Sequence, residues 1–116
     1  MPRSYSEKFL LDLYQQDQDD IGVALARACV AANLPATYVA AGLGVSRITV
    51  FNWFRGKYIR HKNLLKVKTF TDLVESDTAK GILPAQNYTA ARKYIEELTG
   101  VKIVRRDLSE LIESEE

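Results

Sequence analysis

The sequence predicts a small all-α protein, a helical bundle with an additional helical extension at its C-terminal end. Apolar residues recur at intervals of three and four along most of the chain, which is the spacing of one face of an α-helix. The chain has 116 residues, of which 47% are hydrophobic and 27% charged, and this is the composition of an ordinary globular domain. The single short run of β-branched residues, 101–104, predicts a brief strand or an extended connection.

Two helices are expected before the middle of the chain. The hydroxyl of Ser6 can cap the first helix, and residues 17–20 can provide an N-cap and favourable negative charge for the second. Asn33 tolerates the left-handed conformation and is expected to end the second helix, with Pro35 preventing its continuation. The apolar side of the first helix carries Leu10, Leu13 and Tyr14, and that of the second carries Ile21, Leu25, Ala28, Cys29 and Ala32.

Three further helices are expected towards the C-terminus. A helix over residues 63–75 would be followed by a boundary at residues 81–84, an amphipathic helix over 85–99 and a last segment over 107–114. The sequence is therefore divided into an N-terminal arm (1–20), a central domain (21–80) and a C-terminal helical extension (81–116). The inward side of the helix over 63–75 is expected to carry Leu64, Val67, Phe70, Leu73 and Val74.

The charges are unevenly distributed, although the net charge is only +1. Residues 1–20 carry two basic and five acidic side chains, residues 21–71 carry eight basic and no acidic ones, and residues 72–116 carry six basic and ten acidic ones. Lysine and arginine side chains that displace condensed counterions supply most of the sequence-independent affinity of proteins for DNA. The middle of the chain is therefore expected to bind a polyanion, the alternative being a solvated basic face.

Residues 35–56 contain the residue types that two short helices joined by a tight turn require. Ala40 is small where the second helix passes over the first, and Gly44 can take the positive φ of the turn. Ser46 can cap the second helix, and Gly56 can end it. The residues expected to be buried are Val45, Val50 and Trp53.

This pattern resembles the helix-turn-helix of the lambda-repressor and Cro-like family of DNA-binding proteins. The resemblance reaches from about residue 21 to residue 74 and implies that family's five-helix bundle. It also implies a repressor-like transcriptional regulator of the phage or plasmid kind, which binds double-stranded DNA as a homodimer on half-sites about one helical turn apart. The matching residues are Val39, Ala40, Leu43, Gly44, Val45, Ser46, Val50, Trp53, Gly56 and Lys57.

The resemblance implies that the second helix, over about residues 46–55, enters the major groove. Arg47 could then pair with guanine and Asn52 with adenine, while Ile48 or Phe51 could touch a thymine methyl group. The family usually has polar residues at the places of Pro35 and Ala36, so a phosphate contact there would fall to Thr37 or Tyr38. The expected base-contacting residues are Ser46, Arg47, Ile48, Phe51 and Asn52. The expected phosphate-contacting residues are Thr37, Tyr38, Arg55, Lys57, Tyr58, Arg60, His61 and Lys62.

Several alternatives stay open. Exposed Ile48 and Phe51 would also suit an adaptor that binds a protein such as an RNA polymerase subunit. The acidic residues 107–116 could fold over the basic face and compete with DNA. A dimer surface could come from the C-terminal extension, or the same apolar residues could pack back onto the bundle. These residues are Tyr88, Ile95 and Leu98 in the amphipathic helix, and Leu108 and Ile112 in the last segment.

Other classes of function are not indicated. The one histidine, His61, lies among basic residues, so a catalytic triad is not expected, and one cysteine cannot build a cysteine-rich metal site. Gly42-Leu43-Gly44 lacks the strand and the third glycine of a nucleotide-binding loop. We expect no enzymatic activity and no cofactor, and Cys29 is expected in the core. Without a signal-peptide pattern or a spanning apolar run, a cytoplasmic, nucleoid-associated protein is expected.

Overall fold

The computed structural model describes residues 5–15, 20–104 and 110. These residues form six α-helices and no strand, which confirms the all-α prediction. Residues 101–104 have no regular secondary structure, so the connection is the alternative that is observed. The helices are α1 (Glu7–Tyr14), α2 (Ile21–Ala32), α3 (Ala36–Leu43), α4 (Arg47–Phe54), α5 (His61–Ala79) and α6 (Tyr88–Thr99).

Side-chain caps define where most of these helices begin. The Ser6 hydroxyl accepts a hydrogen bond from the Phe9 amide at 3.1 Å, and an Asp20 carboxylate oxygen accepts one from the Val23 amide at 3.0 Å. Both caps occupy predicted positions and satisfy amides that lack a partner within the helix. The end of α2 is also as predicted, because Asn33 adopts the left-handed conformation with φ 56°.

Helix α2 lies at the centre of the bundle, against α4 and α5. A Cβ atom at Gly22 would lie 2.1 Å from the carbonyl oxygen of Trp53, so only glycine lets the two backbones approach this closely. Cys29 is fully buried in this helix, as predicted, and the loss of hydration raises the pKa of its thiol. Because Gly22 packs directly on the backbone of Trp53, the start of α2 fixes the position of the C-terminal end of α4.

Helix α5 is longer than predicted and begins two residues earlier. The helix continues past Glu75 to Ala79, and the chain turns only at Gly81, which has φ 81°. Leu73, predicted to be buried, is 44% exposed. The buried apolar residues of α5 are Val67, Phe70 and Val74.

Helix α6 packs onto α3 across a glycine. A Cβ atom at Gly42 would lie 2.6 Å from Cγ2 of Ile95, and Ala91 and Ile95 are completely buried. Of the two alternatives for the amphipathic helix, packing back onto the bundle is the one observed. The helix begins at Tyr88 and not near residue 85, because Asn87 caps it. The last predicted helix, with Leu108 and Ile112, lies outside the described residues apart from Glu110.

A buried polar network joins α3 and α6 to Glu110. The Tyr38 hydroxyl donates to one carboxylate oxygen of Glu110, and Arg92 Nε donates to the other at 2.6 Å. Arg92 also donates to Glu96 at 2.9 Å, and the second oxygen of Glu96 accepts from the Ile103 amide at 2.8 Å. Glu110 is thus bound to α3 and α6, and the amide of Ile103 to α6, by charge-assisted hydrogen bonds.

Candidate nucleic-acid interface

Helices α3 and α4 are joined by the turn that the sequence predicts. Gly44 has φ 72° and the amide of Val45 bonds to the Ala40 carbonyl at 3.0 Å, which closes the end of α3. The Ser46 hydroxyl then caps α4 by accepting from the Thr49 amide at 3.1 Å. Val50 and Trp53 are buried as predicted, while Val45 is half-buried. That this pair of helices reads DNA stays a prediction.

A groove rich in positive charge lies beside α4. It is bounded by one side of α4, the loop over residues 57–60 and the first turns of α5, and its volume is about 790 Å³. Among the described residues that line it there is no carboxylate. We call it the basic groove, after the four cations that border it: Lys57, Arg60, Lys62 and Lys66.

The α4 side of the basic groove is polar. Thr49 and Asn52 line it, one helical turn apart, and the Thr49 hydroxyl lies 2.9 Å from that of Ser46. Asn63 lines the opposite side, is 8% exposed, and makes no side-chain hydrogen bond to any residue that the structure describes. Thr49 and Asn63 were not predicted as site residues. The signal for Thr49 was its position three residues before Asn52, on the same helix face.

The predicted base-contacting residues are distributed over two sides of α4. Ser46 and Asn52 border the basic groove, with the Ser46 hydroxyl engaged in the cap. Arg47 and Ile48 are exposed outside it, Ile48 at 74%, and the Arg47 guanidinium lies 5.2 Å from the centre of the Phe51 ring. Both sides of α4 would have to face the same ligand for all of these residues to act together.

Phe51 is not the outward-facing residue that the helical pattern predicts. It is half-buried, with its ring centre 5.8 Å from that of Phe9 and 5.7 Å from that of Phe54. Tyr5 completes this aromatic cluster by stacking on Phe9 at 5.3 Å. The prediction fails because α1 covers this side of α4, and Phe54, which was not expected in the core, is buried beneath it.

Tyr38 is also misplaced by the sequence prediction. Its side chain is completely buried, and its hydroxyl donates to Glu110, so it is not accessible to a phosphate in this structure. Tyr38 is buried by its contact with Glu110, 72 positions away, and local sequence patterns do not reveal such a contact. Thr37, the alternative at the start of α3, is half-buried.

The remaining predicted phosphate contacts fall into two groups. Arg55 is exposed but lies on the α1 side of α4, where it borders a separate groove together with Asp12. Tyr58 is exposed along the basic groove, and His61 is exposed at the start of α5. Lys66 was not predicted; its ammonium group donates to the Leu43 carbonyl at 2.7 Å and so satisfies the C-terminal end of α3.

The described residues give no sign of a metal centre or a membrane segment. Among them, histidine, cysteine and carboxylate side chains form no group of three or more that could hold a metal ion. None of their helices combines the length and the apolar character needed to cross a bilayer. Comparison of the chain with protein-family models, curated proteins and solved structures returns no match.

Proposed function

We propose that this protein binds double-stranded DNA, with the cations of the basic groove on the phosphate backbone and residues of α4 at the base edges. The observation that carries the proposal is the basic groove itself: four cations beside the polar side of α4, with no carboxylate among the described residues that line it. Such a surface releases condensed counterions when phosphates bind, which favours association at low ionic strength.

The phosphate contacts are assigned to the cations that have no other partner in the described part of the chain. Lys57, Arg60 and Lys62 are exposed and make no ion pair or side-chain hydrogen bond there. Lys66 already donates to Leu43 and serves mainly to hold α3 and α5 together. Tyr58, which is 83% exposed, can add a neutral hydroxyl donor to the phosphate contacts.

The base contacts are assigned to Arg47, Ile48, Thr49 and Asn52. The Arg47 guanidinium suits the acceptors of guanine and the Asn52 amide suits adenine, while Ile48 can touch a thymine methyl group. Phe51 and Tyr38 do not belong to the contact set, because one lies in the aromatic cluster and the other is buried. With these contacts the protein would act as a sequence-specific transcriptional regulator, in line with the sequence resemblance.

The salt dependence of DNA binding tests the phosphate assignment. Fluorescence anisotropy with a random-sequence duplex, between about 50 and 200 mM salt, should show steep weakening of wild-type binding. The variant Lys57→Ala/Arg60→Ala/Lys62→Ala should lower the slope of log Kobs against log[salt] by about 2.7, since each phosphate contact contributes about 0.9. The matched control Lys8→Ala/Lys80→Ala/Lys93→Ala removes three exposed cations outside the basic groove and should keep the wild-type slope.

Two results would contradict the proposal. One is absence of binding at low salt, and the other is an equal loss of slope in the control variant. The Asn52 assignment is tested by selecting bound sequences from a random pool: Asn52→Ala should relax one base position by about 1–3 kcal/mol and leave the salt slope unchanged.

The adaptor alternative is supported by one observation, the 74% exposure of Ile48. Phe51, its expected companion, lies in the aromatic cluster, which leaves Ile48 as a single exposed apolar residue on α4 and not a patch. Of the acidic residues 107–116 the structure describes only Glu110, whose carboxylate bonds to Tyr38 and Arg92 and not to the basic groove. If wild-type protein fails to bind DNA, Ile48→Ser tests the adaptor in a binding assay with a polymerase subunit.

A further inference from the structure

The first turn of α5 has no side-chain cap. Arg60 occupies the N-cap position and makes no capping hydrogen bond, whereas Ser46 caps α4 and Asn87 caps α6 with a side-chain oxygen. The Asn63 amide bonds back to the Arg60 carbonyl at 2.8 Å, but the amides before it have no acceptor within the helix. This turn lines the basic groove, so an acceptor that enters the groove can reach the start of α5.

The side chain of Asn63 is a second, independent observation at the same place. It is 8% exposed, lines the basic groove, and makes no side-chain hydrogen bond to any residue that the structure describes. Asn33, which is half-buried, instead donates to the Ala85 carbonyl at 2.8 Å. Because buried amide groups are nearly always hydrogen-bonded, the Asn63 amide at the groove indicates a partner that comes from outside the chain.

The surroundings of Asn63 favour an anion as that partner. Lys57, Arg60 and Lys62 border the same groove, and no carboxylate lies among the described residues that line it. The N-terminal end of a helix also attracts negative charge, because its free amides and its dipole point towards the ligand. Helix amides, a side-chain amide and three cations thus share one concave surface, and this is a set of donors that suits a phosphate group.

A phosphate monoester suits these donors better than a phosphodiester of the DNA backbone. A monoester carries a charge of about −1.5 to −2 at pH 7 and has three terminal oxygens, whereas a backbone phosphate carries a single charge. The volume of the groove, about 790 Å³, lies within the range of small-molecule sites, which leaves room for the rest of a small ligand. Thr49 and Asn52 on the α4 side can hydrogen-bond to a nucleobase, and an asparagine amide matches adenine.

We propose that the basic groove binds a small phosphorylated ligand of the nucleoside monophosphate class, with its phosphate at the start of α5 and its base towards α4. Asn63 donates to a phosphate oxygen, and Arg60 and Lys62 neutralise the charge. This binding does not depend on whether the groove also binds DNA. Where it does, both ligands use the same cations, so the small ligand should displace DNA; this consequence alone rests on the proposed function.

Isothermal titration of the full chain with adenosine monophosphate (AMP) at low salt tests the site. The wild type should bind AMP with a Kd below about 1 mM, bind inorganic phosphate more weakly, and show no measurable binding of adenosine. Asn63→Asp replaces a donor by a carboxylate that repels the phosphate, and should raise the Kd for AMP about tenfold or more. Arg60→Ala, at an exposed position, should raise it about fivefold or more.

The matched control is Asn87→Asp. It makes the same charge change at the exposed cap of α6, outside the groove, where aspartate caps as well as asparagine does, and it should keep the wild-type Kd. Asn63→Asp is expected to fold, because an acidic residue in the first turn of a helix is favourable. Thermal unfolding of each variant verifies this.

Four results would overturn the proposal. They are absence of AMP binding up to about 10 mM, adenosine binding as tight as that of AMP, an equal loss in Asn87→Asp, and an unchanged Kd in both Asn63→Asp and Arg60→Ala. Anisotropy of a DNA duplex in the same buffer separates this proposal from the proposed function. Duplex binding without AMP binding rejects only the small ligand, and AMP binding without duplex binding rejects only DNA. Failure of bound AMP to displace a bound duplex would show that the two ligands do not share the groove.

Discussion

The cations of the basic groove and the buried Arg92 of α6 show that positively charged side chains have two different roles in this molecule. Lys57, Arg60 and Lys62 are exposed, and no carboxylate lies among the described residues that line their groove. Arg92 is 8% exposed and donates to two carboxylates, Glu96 at 2.9 Å and Glu110 at 2.6 Å. The hydrogen bond to Glu110 raises the pKa of Arg92, so its charge is retained in the interior.

The role of each of these cations depends on whether carboxylates lie near it. Residues 21–71 contain no acidic side chain, so their cations have no neighbours in sequence with which to pair. In α6, Glu96 lies one helical turn after Arg92, and Glu110 approaches from the C-terminal side. Charges that are neutralised inside the protein stabilise its packing, whereas those left unpaired remain available for a polyanion.

Removing the guanidinium of Arg92 should have the largest effect. Arg92→Leu leaves Glu110 as a buried carboxylate without its charged partner, and we expect a loss of about 3–5 kcal/mol in the free energy of unfolding. Urea denaturation at neutral pH measures this loss. Lys93→Leu is the control at the neighbouring exposed position, with an expected change within about 0.5 kcal/mol. Equal effects of the two variants would show that the buried pair does not stabilise the fold.

A smaller effect on the free energy of unfolding is expected at Tyr94, a second polar residue of α6. Its hydroxyl donates to Asp77 at 2.6 Å, and burial together with this hydrogen bond raises the pKa of Tyr94. The folded protein therefore keeps a proton that the unfolded chain loses near pH 10, so this contribution to stability is complete below that pH and declines above it. Tyr94→Phe should cost about 1 kcal/mol at pH 7 through loss of the hydrogen bond.

The pH dependence separates this role of Tyr94 from a simple packing role. Above about pH 10, the decline of stability with pH should be shallower in Tyr94→Phe than in the wild type, by at most about 1.4 kcal/mol per pH unit. The partly exposed side chain lowers that figure because water screens it. Urea denaturation at several alkaline pH values measures the slopes. Identical slopes in both proteins would contradict a raised pKa for Tyr94.

The smallest effect, a change in the salt slope of DNA binding, is expected from a comparison of Arg55 with Lys57. These two cations lie near α4 but line different grooves. Because Arg55 lies on the α1 side, Arg55→Ala should leave the salt slope of DNA binding unchanged, whereas Lys57→Ala should lower it by about 0.9. Anisotropy titrations at several salt concentrations compare the two variants. If Arg55→Ala lowers the slope as much as Lys57→Ala, the phosphate backbone also contacts the α1 side of α4, and the assignment of phosphates to the basic groove alone is wrong.

Local features of the fold could be predicted from the sequence, and long-range ones could not. The turn at Gly44, the cap at Ser46 and the end of α2 at Asn33 depend on residues within five positions, and all three are confirmed. The positions of Tyr38 and Phe51 depend on Glu110 and on Phe9 of α1, respectively, and each of these lies more than 40 residues away in sequence. Helical spacing predicts which side of a helix is apolar, but it does not predict which partner covers that side.

The candidate site was predictable to a similar extent. The run of residues without carboxylates located the basic region, and Asn52, Lys57, Arg60 and Lys62 all line the basic groove. Asn63 and Lys66 also line it, because the first turns of α5 form one side, and this depends on how α5 packs beside α4. Sequence charge therefore identified the region, and the helix packing determined which of its residues share one surface.

The absence of a side chain at Gly42 has a consequence for experiments on fragments of the protein. A fragment that stops at Lys80 would lack Ile95 and Thr99, whose side chains pack directly on Gly42, and would also leave the hydroxyl of Tyr38 without Glu110. Water would then reach the side of α3 that α6 covers. Truncation experiments intended to isolate α3 and α4 should therefore retain α6 and residue 110.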